Sequence, residues 1–157
     1  MKIQEIRNHY ETFSEWLLSL KQLENGNWSQ PLDEGKWSVG AVISHLLLWD
    51  KYSLEKRFPY FEEGARLERF PDFQSVNDKA EEYAMKVSKD ELIDELLKIR
   101  NQFMSMLSEM SEEKLETSFF IGDHALSIKD YFKDFVEHDI HHQKQVMQSI
   151  ETIAAKK

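Results

Sequence analysis

Two histidines four residues apart, His138 and His142 in the segment "VEHDIHHQKQV", are the first residues whose types and spacing suggest chemistry. Positions i and i+4 of a helix lie about 40° apart around the axis and about 6 Å along it, so two imidazoles placed there can turn onto one ion. A third candidate is His45 in "AVISHLLLW", the only ionisable residue between Val39 and Trp49. A neutral imidazole buried without a partner costs on the order of 1–3 kcal/mol, so inward-facing rings need something to satisfy them. Each histidine taken singly has an ordinary reading as a hydrogen-bonded core residue. The three together, on two helices that a bundle can make neighbours, point to a shared divalent metal. Three neutral imidazoles leave a coordination position open, as catalytic rather than structural sites do, and suit zinc, nickel or iron without choosing among them.

The faces of the last helix separate these residues from their neighbours. Stepping three and four from Ile128, the inner stripe reads Ile128, Tyr131, Phe135, His138, His142, Gln145, with Phe132, Val136, Ile140, Met147 and Ile150 alongside. The opposite stripe, Asp134, Glu137, His141, Lys144 and Gln148, is a solvent face, which leaves His141 wet. His9 and His124 are expected at the surface. Asp139 and Glu137 point away from the histidine stripe and Asp50 lies one residue past Trp49, so no general base is assigned. Trp16, Trp28, Trp37 and Trp49 are expected in core and lid packing, as are Met104, Met106 and Met110.

Four helical runs must position these side chains. Apolar residues recur at threes and fours from Ile3 to Leu23, where Asn25-Gly26 stops the first helix. After the loop "NGNWSQPLDEGKW", Ser38 caps a second helix that Pro59 ends. Ser88 and Glu91 form a capping box for a third, and Ser127 with Asp130 another for the fourth. Residues 72–87 read as a weaker extra helix and "SEEKL" as a short helical turn, followed by an irregular "ETSFFIGDHAL". No strand alternation of useful length, repeat or Gly-rich phosphate loop is present. The pattern predicts an all-α, antiparallel four-helix bundle forming one domain over residues 1–157.

Composition excludes several classes. Twenty basic against twenty-nine acidic side chains leave a net charge of −9, with no basic stripe, so no nucleic acid partner is expected. With no cysteine, there is no disulfide, thiolate ligand or cysteine nucleophile, and any thiol must arrive with a substrate. The amphipathic start "MKIQEIRNHYETF" lacks the apolar core of a signal peptide, and no run approaches the roughly 18 apolar residues of a membrane span, so a cytoplasmic protein without a membrane partner is expected.

Two segments carry a family resemblance. "KWSVGAVISHLLLWD" resembles the Trp-Ser lead into a helix bearing the first histidine, and "HDIHHQKQV" the terminal His-x-x-His-His-x-x-Gln segment, of the DinB-like, or YfiT-like, superfamily of bacterial four-helix proteins. The resemblance covers nearly the whole length in order and spacing. It implies an up-up-down-down bundle, a homodimer, and a divalent metal on His45, His138 and His142, with the middle His141 not a ligand. Gln143 and Lys144 stand where the family more often carries Arg-Gly, before the retained Gln145. The family includes low-molecular-weight-thiol S-transferases and hydrolase-like members. The expectation is therefore a metal-dependent enzyme, a bacillithiol-type S-transferase acting on small electrophiles. The alternative is a non-catalytic, stress-related protein that binds a metal or a small ligand.

Overall fold

A computed structural model describes the chain at residues 1–32 and 37–156, with side chains through residue 151. Its long helices are α1 (Ile3–Ser19), α3 (Val39–Lys56), α5 (Lys89–Glu109) and α7 (Ile128–Lys156), joined through α2 (Asn25–Ser29), α4 (Phe73–Lys86) and α6 (Glu112–Leu115). The expected caps form. Ser38 Oγ accepts from Ala41 N at 3.1 Å and Ser88 Oγ from Glu91 N at 3.2 Å. Ser127 and Asp130 exchange side chain-to-backbone bonds of 3.0 and 3.1 Å, satisfying two amide hydrogens that the first turn of α7 would otherwise leave unpaired. The extra helix at 72–87 is α4, capped by Asp72 on Ser75 N.

Around the bundle in the order α7, α1, α5, α3 the helices run up, up, down, down. The order follows from the contacts: α1 meets α5 head to tail through Arg7 with Leu107 and Lys21 with Asp94, and runs alongside α7 through His9 with Asp139 and Trp16 with Met147. Parallel neighbours require crossover connections, and these carry the shorter elements.

Three expectations change. The first helix ends at Ser19 and continues as a 3₁₀ turn over Leu20–Gln22, while Asn25–Ser29 is itself helical. Trp28 is the reason: its indole lies over Gly40 at the start of α3, where a Cβ would come within 2.6 Å of Nε1, so this short helix docks through a close approach that glycine permits. The loop residues 33–36 fall outside the described part. The segment read as irregular folds as an antiparallel hairpin, β2 (Ser118–Ile121) and β3 (His124–Ser127), turned by Gly122 at φ +59°. A two-residue strand β1 (Arg66–Leu67) adds parallel to β2, tying the α3–α4 connection to the segment before α7.

The core has two apolar clusters with a charged layer between them. One holds Phe13, Leu17, Ile43, Leu46, Leu96 and Val146; the other Ile6, Tyr10, Phe103, Leu107, Phe119 and Phe132. Between them lies Arg100, fully buried, with the buried carboxylates of Asp50 and Asp139. The Arg100 guanidinium also faces the rings of Tyr10, Phe13 and Phe103 at 4.9–5.9 Å. His9 bonds Asp139 at 2.9 Å, so one network joins all four long helices.

Candidate metal centre

The three histidines read from the sequence meet. α3 presents His45 and α7 presents His138 and His142 on facing stripes. Nε2 of His138 lies 3.3 Å from that of His45 and 3.1 Å from that of His142. One ligand atom from each falls within 4.8 Å of the other two. Nitrogens held at 2.0–2.1 Å from a tetrahedral ion would stand about 3.4 Å apart, close to the observed separations.

Proton bookkeeping supports the same fit. His142 Nδ1 stands 2.9 Å from Gln145 Oε1 and His45 Nδ1 2.9 Å from Asn77 Oδ1. An imidazole that donates from Nδ1 leaves Nε2 a bare lone pair. Two such lone pairs then point at His138 Nε2, which can donate to only one of them. A cation at the point of convergence satisfies all three. The Trp49 indole nitrogen also lies 3.0 Å from His45 Nδ1. One nitrogen cannot donate to Asn77 and accept from Trp49 at once, and the tautomer that frees Nε2 for an ion is the one bonded to Asn77.

The electrostatics keep the rings neutral. Burial is the largest cause holding His45 down to about 3 and His138 down to about 4, with the neighbouring His142 ring adding repulsion in both. Burial also lowers His142, against the opposing bond from Gln145. Neutral imidazole is the ligating form, so these shifts favour metal over protons at neutral pH.

A cavity of about 580 Å³ opens beside the triad. Trp37, Trp49, Phe70, Phe73, Ile121 and Phe135 give it apolar walls, and among the described residues Arg57, Tyr131, Asp134 and His141 are its charged or polar members besides the triad. Trp37 and Trp49 are thus more than packing: their rings lie 5.0 and 5.8 Å from that of His45. The extra helix α4 supplies both Phe73 on the wall and Asn77 behind His45.

Other expectations fare unevenly. His141 is exposed, its ring beside His142 but outside the convergence, and His124 is exposed as expected. Trp28 is in the core, and Met104, Met106 and Met110 pack against it. Asp134, placed on the solvent stripe, reaches the cavity wall, and its carboxyl is raised by burial and by Glu137 and Asp130. Ile140 and Met147, placed beside the inner stripe, are 39% and 40% exposed, because the buried face of α7 is centred on Val136, Asp139, His142 and Val146. His9 is not a surface residue: its side chain is 13% exposed and bonded to Asp139. Asp139 does point away from the triad, but into the core, where burial raises its carboxyl and the charge and bonds of Arg100, with the bond to His9, outweigh that and lower it below its ordinary value. The signal for Arg100 was present, since it occupies the apolar stripe of α5 between Leu96 and Phe103. Arg57 and Asn77 carried no comparable signal.

With the geometry established, similarity to known proteins can be placed. The family description "DinB superfamily" matches residues 7–146. YfiT from Bacillus subtilis, described as a probable metal-dependent hydrolase with an unusual four-helix bundle topology, superposes with a TM-score of 0.81 at 15% identity, covering 97% of this chain and 87% of that one. The colibactin self-resistance protein ClbS, solved in complex with double-stranded DNA, gives 0.70 at 14% identity, covering 94% of each chain. A DinB-like protein from Bacillus cereus gives 0.65 at 19% identity, covering 97% of this chain and 90% of that one. No curated protein matches. The structural relatives share the bundle, the family match spans all four of its long helices, and on both grounds the chain belongs to the DinB superfamily.

Proposed function

We propose that His45, His138 and His142 hold one divalent ion, and that the protein is a metal-dependent enzyme acting on small molecules bound in the adjoining apolar cavity. The observation that carries this reading is the convergence of three neutral imidazoles whose lone pairs cannot satisfy one another. A divalent ion held there supplies Lewis-acid chemistry, lowering the pKa of a nucleophile brought beside it.

The finer reading is transfer of a low-molecular-weight thiol, of the bacillithiol kind, to an electrophile. The chain has no cysteine, so a sulfur nucleophile has to come with the co-substrate. Trp37, Trp49, Phe70 and Phe73 give the wall an apolar surface against which an apolar electrophile would lie. Asn77 and Gln145 fix the tautomers and orientations of two of the three ligating rings. Asp134, a carboxylate on that wall with a raised pKa, is placed to take the proton that the thiol releases. The same carboxylate favours a second reading, hydrolysis, the activity named for YfiT.

Iron, nickel and zinc all suit the donor set. The net charge of −9 argues against the duplex DNA found with ClbS, and cytoplasmic residence and a homodimer complete the reading. Among the described residues no helix is long and apolar enough to cross a membrane.

The test is elemental analysis of purified protein, then turnover of a panel of chromogenic electrophiles and esters with and without added bacillithiol. Metal-dependent turnover that consumes thiol supports the transferase. Turnover without thiol selects the hydrolase, and a bound ion with no turnover across the panel leaves a metal- or ligand-binding protein.

A further inference from the structure

Arg57 stands at the cavity wall in a condition that sequence and fold do not explain. It follows the last residue of α3, and the whole residue is 1% exposed. A guanidinium stays charged at any ordinary pH, and a charge removed from water is normally paired. Among the described residues no carboxylate forms an ion pair with it. Its partners are neutral: Nη1 donates to the Glu68 carbonyl at 2.6 Å, the side chain hydrogen-bonds the Tyr131 hydroxyl, and the rings of Tyr52 and Phe70 face the guanidinium at 5.2 and 5.8 Å. Nε is buried with no partner at all. The contrast with Arg100 is direct, since that side chain is equally buried and holds two carboxylates.

A buried guanidinium that lines a cavity with no carboxylate against its charge is a receptor for an anion. The rest of the wall says which kind. Seven aromatic or aliphatic residues among those described surround the space, so the anion must be carried on an apolar body. Among the described residues no lysine and no second arginine lines the cavity, while Asp134 does, so a dianion such as a phosphate would meet one described cation and one carboxylate. A carboxylate carries a single charge and matches the planar fork through two parallel bonds. Arg57 and the three histidines line the same cavity. Tyr131, which feels the Arg57 charge, shares the wall with His138, seven residues or about 10 Å further along α7.

We propose that Arg57 is the anion-recognition residue of this cavity, and that the molecule bound there is an apolar monocarboxylate whose body lies among the tryptophan and phenylalanine rings and whose far end reaches the three histidines. This names a substrate class for the site and rests on its reading as the substrate cavity.

The probe is phenylbutyrate, compared with its neutral amide, titrated against the full-length protein as purified and again after chelation. Quenching of tryptophan fluorescence reports binding, since Trp37 and Trp49 are on the wall. A charge-assisted bidentate bond corresponds to a preference of about tenfold to a hundredfold for the acid over the amide. That preference should survive chelation, fall to near unity in Arg57→Met through loss of affinity for the acid, and be only partly restored by Arg57→Lys. Equal affinity of acid and amide for the wild-type protein overturns the proposal while leaving the cavity as a substrate site. A preference that vanishes on chelation and persists in Arg57→Met also overturns it, because the acid would then be bound by the ion. Binding of neither probe removes the carboxylate assignment together with the cavity reading, whatever the metal content.

Discussion

Arg100 grips Asp139 through both terminal nitrogens, at 2.5 and 2.8 Å, one residue along α7 from His138. Consecutive helical residues point about 100° apart, so fixing Asp139 toward the core fixes the rotation of α7 and aims His138 and His142 at α3. Asp50, on α3, accepts from Arg100 Nε at 2.6 Å and holds the other ligand-bearing helix to the same guanidinium. The charged layer therefore sets the registry of the two helices that present the triad.

Removing the central cation should be costly. Arg100→Met leaves two buried carboxylates facing each other, and breaking a buried ion pair in this way costs about 3–5 kcal/mol. Urea denaturation of the metal-free variant measures it. Replacing Arg100, Asp50 and Asp139 together by apolar residues should recover much of that loss while still weakening metal binding, because stability returns but the registry does not. Unchanged metal affinity in the triple variant would separate the layer from the site.

The histidines divide by face. One divalent ion per chain is expected in wild-type protein. His45→Ala, His138→Ala and His142→Ala should each abolish stoichiometric binding, and His141→Ala should leave it intact. Elemental analysis of the four variants checks this, and equal loss in all four would refute the assignment of His141 to the outer edge.

Much of this was legible in the chain. Apolar spacing at threes and fours set the four long helices, and Ser38, Ser88 and Ser127 marked three of their starts, because a helix is a local object whose period and caps are written in consecutive residues. The triad was legible for the same reason: His138 and His142 share a stripe, and His45 interrupts an apolar run. The hairpin was missed although Gly122-Asp123 is a turn signal, because four-residue strands give alternation too little length to register. His9 was misjudged because its burial depends on a partner from a distant helix, and the core position of Asp139 went unread for the same reason. An arginine on the apolar stripe of α5 asks for a carboxylate, but only the bundle supplies one. Arg57 was silent, since its neighbours come from three separate segments.

The residues behind the ligands should tune affinity. Asn77 Oδ1 and Gln145 Oε1 lie 2.9 Å from Nδ1 of His45 and His142, and with an ion bound they would accept the Nδ1 protons and hold Nε2 free. Loss of such an outer partner lowers metal affinity about tenfold to a hundredfold. Asn77→Ala and Gln145→Ala should show this in competition with a chromogenic chelator, with thermal stability of the metal-free protein little changed. Asn77→Ala carries one further signature. With its acceptor gone, His45 Nδ1 is left with the Trp49 indole as donor, which selects the tautomer with the proton on Nε2. Ring nitrogen shifts in NMR spectra of the metal-free protein should report that reversal.

The pH response follows from the depressed histidines. In the metal-free fold His45 is held at about 3 and His138 at about 4, with His142 also lowered from 6.5. Because the folded values lie below the unfolded one, the unfolded chain takes up protons first as pH falls. The contribution of these rings to stability is complete above their ordinary value and drains away as pH drops from there through about 4 and then about 3. Asp50 runs the other way: burial lifts it to about 7 despite Arg100, so its protonation favours the folded state as pH falls. The histidine effect is isolated by keeping Asp50 in place and comparing metal-free wild type with a variant carrying His45→Gln, His138→Gln and His142→Gln. Urea midpoints taken from about pH 7.5 to about pH 5 should decline more steeply for the wild type, and a saturating divalent ion should raise the midpoints without flattening that decline, because the folded rings are already deprotonated over this range and the unfolded chain takes up the protons. Parallel slopes for the two proteins would mean that the three imidazoles are hydrated and titrate as free side chains, which their observed burial does not allow.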